Sequence, residues 1–369
     1  MKLKVLQENL KNSLNYLQKV IPNKPQITIL SSILLKAKDN ELTLSATDLY
    51  LGIKTKLIVE IEEEGELIVN GELFKSLINS LDNGKVEIEL KENSLIITQN
   101  KTVSKLSCQK SDEFPNFPVV EGDSFIFDLK DLEKIQNLVS FCAGIDQSRP
   151  ILTALLLKFG QHGLEVVATD GFRLSNLILR DINSKKERTI LIPAKALNEL
   201  YRIAKQINVE SIEILVSDEL KQLLFKINGV EMYVRLIEGD YPPYEKIIPP
   251  SFSLKIEFDG EEFLTQLKRA AIFSRDVSNI VKIKIEKDKM NITSQSPALG
   301  DYSGEILINN LSSEDGEIAF NVNYLIDFIN AVKPDSLEFG MNESLKPAVF
   351  KDKKIDDYFY IAMPFRVNS

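Results

Sequence analysis

The chain has 369 residues, 44% of them hydrophobic and 27% charged, with a net charge of −9. This is the composition of an ordinary globular protein long enough for two or three domains. There is no run of about 18 apolar residues, and Met1-Lys2-Leu3-Lys4-Val5 lacks the apolar core of a signal peptide, so a membrane-spanning or exported protein is excluded and a cytoplasmic one is expected. Cys108 and Cys142 are isolated thiols, neither a disulfide framework nor a metal-ligand pair.

In chain order, Leu10, Leu14, Leu17 and Val20-Ile21 recur at helical spacing and predict a helix over 9–20. Ile33 to Ala37 and Glu41 to Ser45 alternate, with Asp39-Asn40 as the hairpin turn between them. Strands follow at Glu60 to Glu64 and Glu87 to Leu90, with Asn83-Gly84 marking a turn before the second. Leu67-Ile68-Val69-Asn70 runs as a strand into a second helix at Leu73-Phe74.

The same succession returns twice. A helix-like segment opens each third at Leu10, Leu132 and Phe263, 122 and 131 residues apart. The strand ending at Asn70 returns before Pro193 and before Asn321, at steps of 123 and 128. A period this long is that of a domain, too long for a solenoid repeat. Asp112-Glu113-Phe114-Pro115-Asn116-Phe117 and Gly239-Asp240-Tyr241-Pro242-Pro243-Tyr244 share a pattern 127 residues apart. Proline fixes φ and removes a donor, so both read as stiff connectors. The expected organisation is α+β: three similar domains at 1–120, 121–248 and 249–369, each built of two βαβββ-type halves.

Charge is unevenly spread. The six helix segments 7–21, 71–81, 129–142, 194–206, 261–275 and 322–333 together carry +4, and the remaining residues carry −13. Phosphate binding needs local rather than total positive charge, so the acidic sum does not exclude a nucleic-acid partner.

A catalytic reading finds little support. The one histidine, His162, sits in Gly160-Gln161-His162-Gly163, a hairpin turn with no nucleophile beside it. Metal-ligand spacing and a Walker-type loop are both absent. Carboxylate runs such as Glu62-Glu63-Glu64 occur as they do in any acidic protein. The strongest local signal is Val166-Val167-Ala168-Thr169-Asp170-Gly171-Phe172-Arg173-Leu174-Ser175, read as two strands joined by a two-residue Asp-Gly turn. The first third carries Leu44-Ser45-Ala46-Thr47-Asp48-Leu49 at the same place without the glycine, and the last third carries Ile292 to Ser296.

At these residues the chain resembles the β subunit of bacterial DNA polymerase III, the processivity sliding clamp. The resemblance rests on Ala168 to Leu174 and on the ending Tyr360-Ile361-Ala362-Met363-Pro364-Phe365-Arg366-Val367. Phe320-Asn321-Val322-Asn323-Tyr324-Leu325, Gly239-Asp240-Tyr241-Pro242 and Lys24-Pro25 add to it. It covers the whole length in register.

The resemblance implies the DNA clamp fold. Two chains would join head to tail into a ring of six domains, with helices lining a central channel and antiparallel sheets outside. The ring would hold duplex DNA without reading sequence and tether the replicative polymerase. It implies no catalytic residues, metal or cofactor. The implied partners are the polymerase III α subunit, an ATP-dependent clamp loader, and other polymerases and repair proteins carrying clamp-binding motifs. It places Leu106 on one side of the dimer contact and Ile272 and Phe273 on the other.

By the resemblance Lys24 matches a position near DNA and Arg149 and Lys195 lie close to others, and helix charge adds Lys268, Arg269 and Arg275. Where relatives place tyrosines, this chain has Pro150-Ile151, which argues against stacking on a single strand there. The pocket for partner peptides corresponds to Leu152, Leu155, Thr169, Gly171, Phe172, Arg173, Leu174, Pro242, Ile247, Ile361, Met363, Pro364, Phe365 and Arg366. Phe172 departs from the histidine of some members, and Asn368-Ser369 extends past the usual end, where it would partly cover the groove. Two rival readings are a ring-forming scaffold that does not enclose DNA and a carboxylate hydrolase, which would need a deep acidic cleft.

Overall fold

The structure is a computed structural model that describes residues 1–22, 25–184, 186–276 and 278–366. Among these residues lie six α-helices: α1 Gln7–Leu17, α2 Gly71–Ser80, α3 Leu129–Leu138, α4 Ala194–Ile207, α5 Gly260–Ser274 and α6 Val322–Val332. Each follows one strand and precedes three, so a β-α-β-β-β unit recurs six times along the chain. The first unit is Lys2–Leu6, α1, Ser32–Lys38, Glu41–Thr47 and Leu51–Ile58. The last is Gly316–Asn321, α6, Ser336–Met341, Ala348–Asp352 and Tyr358–Ala362.

The helices form where the apolar spacing requires them. α1 buries Leu10, Ser13, Leu14 and Leu17, and α5 buries Phe263, Leu267, Ala270 and Ser274, each a single stripe turned to the sheet. Asn70, Asp259 and Asn321 cap α2, α5 and α6 with side-chain oxygens that accept helix amides. α1 begins and ends earlier than its periodicity predicts. The Gln7 amide bonds the carbonyl of Gly84, while the Val20 amide bonds that of Leu17 and tightens the end into a turn. Asp39 and Asn40, at φ 51° and 58°, make the expected hairpin turn.

The chain divides into two compact units. The first comprises residues 1–129 and 195–236 and carries a 13-stranded sheet. The second comprises 130–194 and 237–369 and carries sheets of nine and four strands. Every strand pairing is antiparallel, and the pairing is reciprocal. In the first unit Lys2–Leu6 pairs with Lys85–Lys91, and Gly65–Asn70 returns to pair with Ser32–Lys38. In the second unit Leu254–Asp259 pairs with Ser336–Met341, and Gly316–Asn321 with Ile280–Glu286. Consecutive β-α-β-β-β units thus exchange their leading strands, and neither satisfies its backbone alone.

Two further pairings prolong the sheets. In the first unit Leu51–Ile58 pairs with Val230–Arg235, with Leu51 opposite Val234. In the second, Arg173–Leu179 pairs with Tyr358–Ala362, with Arg173 opposite Ala362. A smaller stitch occurs three times, 128 residues apart. Gln109 lies opposite Ile68, the Ile237 amide bonds the Leu191 carbonyl at 2.9 Å, and the Phe365 amide bonds the Ala319 carbonyl at 2.8 Å.

Among the last strands of the six β-α-β-β-β units, two keep an open edge or most of one. Gly300–Leu307 ends the four-stranded sheet, and Thr102–Gln109 meets Gly65–Asn70 only through Cys108 and Gln109. Both show the same succession of exposed and half-buried residues.

Candidate functional site: an apolar groove and exposed basic side chains

The Ala168–Leu174 segment is a hairpin in the second unit. Thr169 lies opposite Leu174, so the connection is Asp170 to Arg173 and not the two-residue turn its Asp-Gly predicts. The reason is local hydrogen bonding. The Thr169 hydroxyl donates to the Arg173 carbonyl at 2.6 Å and accepts the Gly171 amide at 3.0 Å. Asp170 accepts the Phe172 and Arg173 amides at 2.9 and 3.1 Å. These bonds widen the turn, and Gly171 supplies the left-handed conformation it needs, at φ 94°.

The turn presents Phe172 outward and Arg173 inward. The Phe172 ring, 47% exposed, lies nearly parallel to that of Tyr324 with centroids 6.3 Å apart. The Arg173 side chain is 11% exposed and bonds Asp170 at 2.9 Å and Asp327 at 2.7 Å. Its guanidinium also lies 4.8 Å from the Tyr324 ring centre and 5.7 Å from that of Phe141. Burial works against the charge of Arg173, but Tyr360, Asp327, Cys142 and Asp170 outweigh it, so its pKa is raised.

The C-terminal segment closes against this turn. The Met363 amide bonds the Phe172 carbonyl at 2.9 Å, and the Phe365 amide holds the strand Gly316–Asn321. Beside it lies an apolar cluster of Leu156, Val167, Leu174, Tyr244, Val349 and Ile361, flanked by Ile151, Tyr241, Ile247 and Phe252. Tyr244 is fixed there by its hydroxyl, which donates to Glu165 at 2.7 Å while Lys158 bonds it at 2.9 Å. Burial and Glu165 raise the pKa of this phenol, and burial raises that of Tyr241. Both keep their protons at neutral pH. A cavity of about 390 Å³ opens beside the cluster, lined by Ile248, Phe252, Val349 and Phe359.

The structure therefore gathers most of the expected pocket residues. Thr169, Leu174 and Ile361 are buried. Leu152, Ile247, Met363, Pro364 and Phe365 are half-buried, and Gly171, Phe172, Pro242 and Arg366 are exposed. Leu155 is fully buried, and strand alternation puts it on the opposite face from Leu156. Sequence reasoning missed Tyr324, Asp327, Tyr241 and Tyr244 as parts of the site. Tyr241 and Tyr244 were visible only as a connector, and nothing in the sequence tied Asp327 to Arg173, 154 positions away.

Arg149, Lys195, Lys268, Arg269 and Arg275 are all exposed. Arg149 pairs with Asp146 at 3.2 Å, and the other four make no ion pair among the described residues. Lys24 lies outside the described residues, as do Asn368 and Ser369. Arg275 and Lys333 stand at the C-terminal caps of α5 and α6, where a cation complements the helix dipole. Ile272 is exposed and Phe273, half-buried, lies parallel to Tyr302 at 6.2 Å. Leu106 is half-buried on the open-edged strand Thr102–Gln109.

A wide hairpin and a stapled tail thus border an apolar groove, next to a sheet that is prolonged strand by strand. Comparison with known proteins agrees. The models of the DNA polymerase III beta subunit match residues 1–118 (N-terminal domain), 127–243 (central domain) and 245–366 (C-terminal domain). The beta sliding clamp of Staphylococcus aureus is 29% identical over 366 residues, covering 96% of both chains. The DNA polymerase III beta subunit of Thermotoga maritima superposes with a TM-score of 0.92 at 27% identity, and the DNA polymerase sliding clamp of Bacillus subtilis with 0.93 at 25%. Both superpositions cover the whole of each chain. The chain belongs to the DNA polymerase III beta subunit family, the bacterial sliding clamps, and has their three-domain α+β clamp fold.

Removing one partner of a largely buried charge pair strands the other, at a cost of about 3–5 kcal/mol. Arg173→Met should therefore lower the urea midpoint clearly. Asp327→Asn should lower it much less, because Asp327 is 51% exposed and its loss leaves Arg173 the Asp170 carboxylate. Equal effects would mean that Arg173 does not organise the turn.

Proposed function

We propose that the chain acts as a DNA sliding clamp: two copies close head to tail around duplex DNA and tether the replicative polymerase for processive synthesis. The role is non-catalytic, and retention is topological. The carrying observation is the pattern of sheet continuation. Twice within the chain the last strand of a first half pairs with the last strand of a second half, as Leu51–Ile58 with Val230–Arg235 and Arg173–Leu179 with Tyr358–Ala362. The remaining strands of these two kinds, Gly300–Leu307 and Thr102–Gln109, are the ones with open edges. They belong to opposite ends of the chain, so pairing between copies closes a ring, and a heterologous contact that closes is self-limiting. Three domains at 1–120, 121–248 and 249–369 fit this arithmetic.

Extending the series Leu51 opposite Val234 and Arg173 opposite Ala362 by one repeat places Leu106 opposite Gly300 of the other copy, and Lys105 beside Asp301. Ile272 and Phe273 flank the same contact. Inside the ring, Arg149, Lys195, Lys268, Arg269 and Arg275 supply a diffuse positive field. Phosphate contacts carry no sequence information, which is what sliding requires. The groove at Phe172, Leu174, Ile361 and Met363 receives short motifs from the polymerase α subunit, other polymerases, repair proteins and the ATP-dependent loader that opens the ring. Half-buried Met363 supplies an adaptable wall suited to several ligands.

Two expected outcomes check this reading. Lys105→Glu should weaken the dimer measured by analytical ultracentrifugation at low salt, and Asp301→Lys in the same chain should restore it. Failure of the second change to rescue the first removes the register. Met363→Ala with Pro364→Ala should abolish stimulation of the cognate polymerase while leaving the dimer intact, and unchanged stimulation removes the pocket assignment.

A further inference from the structure

The first unit repeats the main chain of the docking groove bond for bond. Thr47, like Thr169, donates its hydroxyl to the carbonyl four residues on (Leu51, 3.0 Å) and accepts the amide two residues on (Leu49, 3.0 Å). Asp48, like Asp170, accepts two amides, those of Tyr50 at 3.0 Å and Leu51 at 2.7 Å. The Arg235 amide bonds the Tyr50 carbonyl at 2.8 Å, as the Met363 amide bonds that of Phe172. Pro115 and Phe117 stand where the second unit has Pro242 and Tyr244. A cavity of about 90 Å³ lies among Leu49, Tyr50, Phe117, Tyr233 and Arg235.

The side chains have changed in one direction. Gly171 is replaced by Leu49, held at φ 77° in the left-handed region that leucine avoids. Leu49 and Tyr50 are 47% and 68% exposed, an apolar rim without cover. Leu174 is replaced by Gly52, where a Cβ would lie 2.5 Å from the Phe117 ring, so that ring forms the floor. Met363 is replaced by Arg235, which makes no ion pair among the described residues.

Lys54 adds a second cation, 4.6 Å and 5.0 Å from the Phe117 and Tyr233 ring centres. The nearby carboxylates are committed: Asp48 to two amides, and Glu231 to the Tyr233 hydroxyl at 2.8 Å. What the groove offers is an apolar rim, an aromatic floor and, in Arg235, an exposed guanidinium that no carboxylate among the described residues pairs.

We propose that this groove is a second docking site, taking a short extended peptide in which an acidic residue adjoins an apolar anchor. The acid pairs with Arg235, and the anchor packs between Leu49, Tyr50 and the Phe117 ring. The class of occupant rests on reading the Phe172 groove as a peptide site, while the geometry of the first-unit groove stands apart from it. Two sites on one chain would let one partner remain docked while another exchanges.

The test is methyl NMR of the full-length protein titrated with the synthetic peptide acetyl-Gly-Asp-Ile-Tyr-Gly-amide. The Leu49 and Leu51 methyls report this groove, and Leu174 and Ile361 the other. Saturable shifts at Leu49 and Leu51 are expected, weakened about tenfold by Asp→Asn in the peptide or by Arg235→Ala in the protein, as for a lost charge-assisted hydrogen bond. Both Arg235 and Tyr50 are exposed, so their alanine variants should fold. Leu49 methyls that stay unmoved while Leu174 and Ile361 respond would overturn the proposal and leave the first groove standing. Leu49 shifts insensitive to Arg235→Ala and to the Asn peptide would overturn the acidic specificity. Leu49 shifts without any at Leu174 would support this site and count against the other.

Discussion

An open strand edge is a row of amides and carbonyls that must find partners, and this requirement runs through the whole molecule. No β-α-β-β-β unit meets it alone. Neighbouring units exchange leading strands, as Lys2–Leu6 and Gly65–Asn70 do across α1 and α2. Trailing strands then pair onward, Leu51–Ile58 with Val230–Arg235 and Arg173–Leu179 with Tyr358–Ala362. The rule consumes every trailing strand but two, Thr102–Gln109 and Gly300–Leu307. Proposed closure by a second copy is the same rule applied once more, and it places the seam at the two trailing strands left unpaired.

The proposed docking groove is a by-product of that rule. It forms where the hairpin ending at Arg173 meets the last strand of the chain, and the tail is held by the Met363 and Phe365 amides. Because the tail is stapled by its backbone, its side chains are free to form a wall. Arg173 ties the turn to α6 through Asp327, and Phe172 lies on Tyr324 of that helix. The same joint in the first unit gives the same backbone with different side chains. Under the proposed reading, the divergence of Leu49, Gly52 and Arg235 from Gly171, Leu174 and Met363 is a difference of specificity on one frame.

Much of this was legible in the residues. The rulers through Leu10, Leu132 and Phe263 and through Asn70, Pro193 and Asn321 fall on helices or on the strands that precede them. The Asp39-Asn40 turn formed as composition and propensity dictate. The Asp170-Gly171 turn did not, because Thr169 and Asp170 capture three amides that a two-residue turn would leave elsewhere. Helix ends were misplaced where single backbone bonds decide them, a long-range one from Gln7 to Gly84 and a local one from Val20 to Leu17. With the shorter helices, Arg275 and Lys333 stand at their C-terminal caps. In the site, residues within one motif could be found together, whereas Asp327 and Tyr324 are brought to Arg173 by the pairing of Arg173–Leu179 with Tyr358–Ala362, which no local pattern records.

Topological retention is the claim on which the account turns, and one measurement addresses it directly. The protein is loaded onto nicked circular plasmid with a cognate loader and ATP, salt is raised, and retention is compared before and after the plasmid is linearised. Salt weakens phosphate contacts steeply but cannot undo a link. The account predicts retention on the circle and loss from the linear form. Equal loss from both, with the loader shown active on a known clamp, would contradict it and favour a ring-forming scaffold that does not enclose DNA.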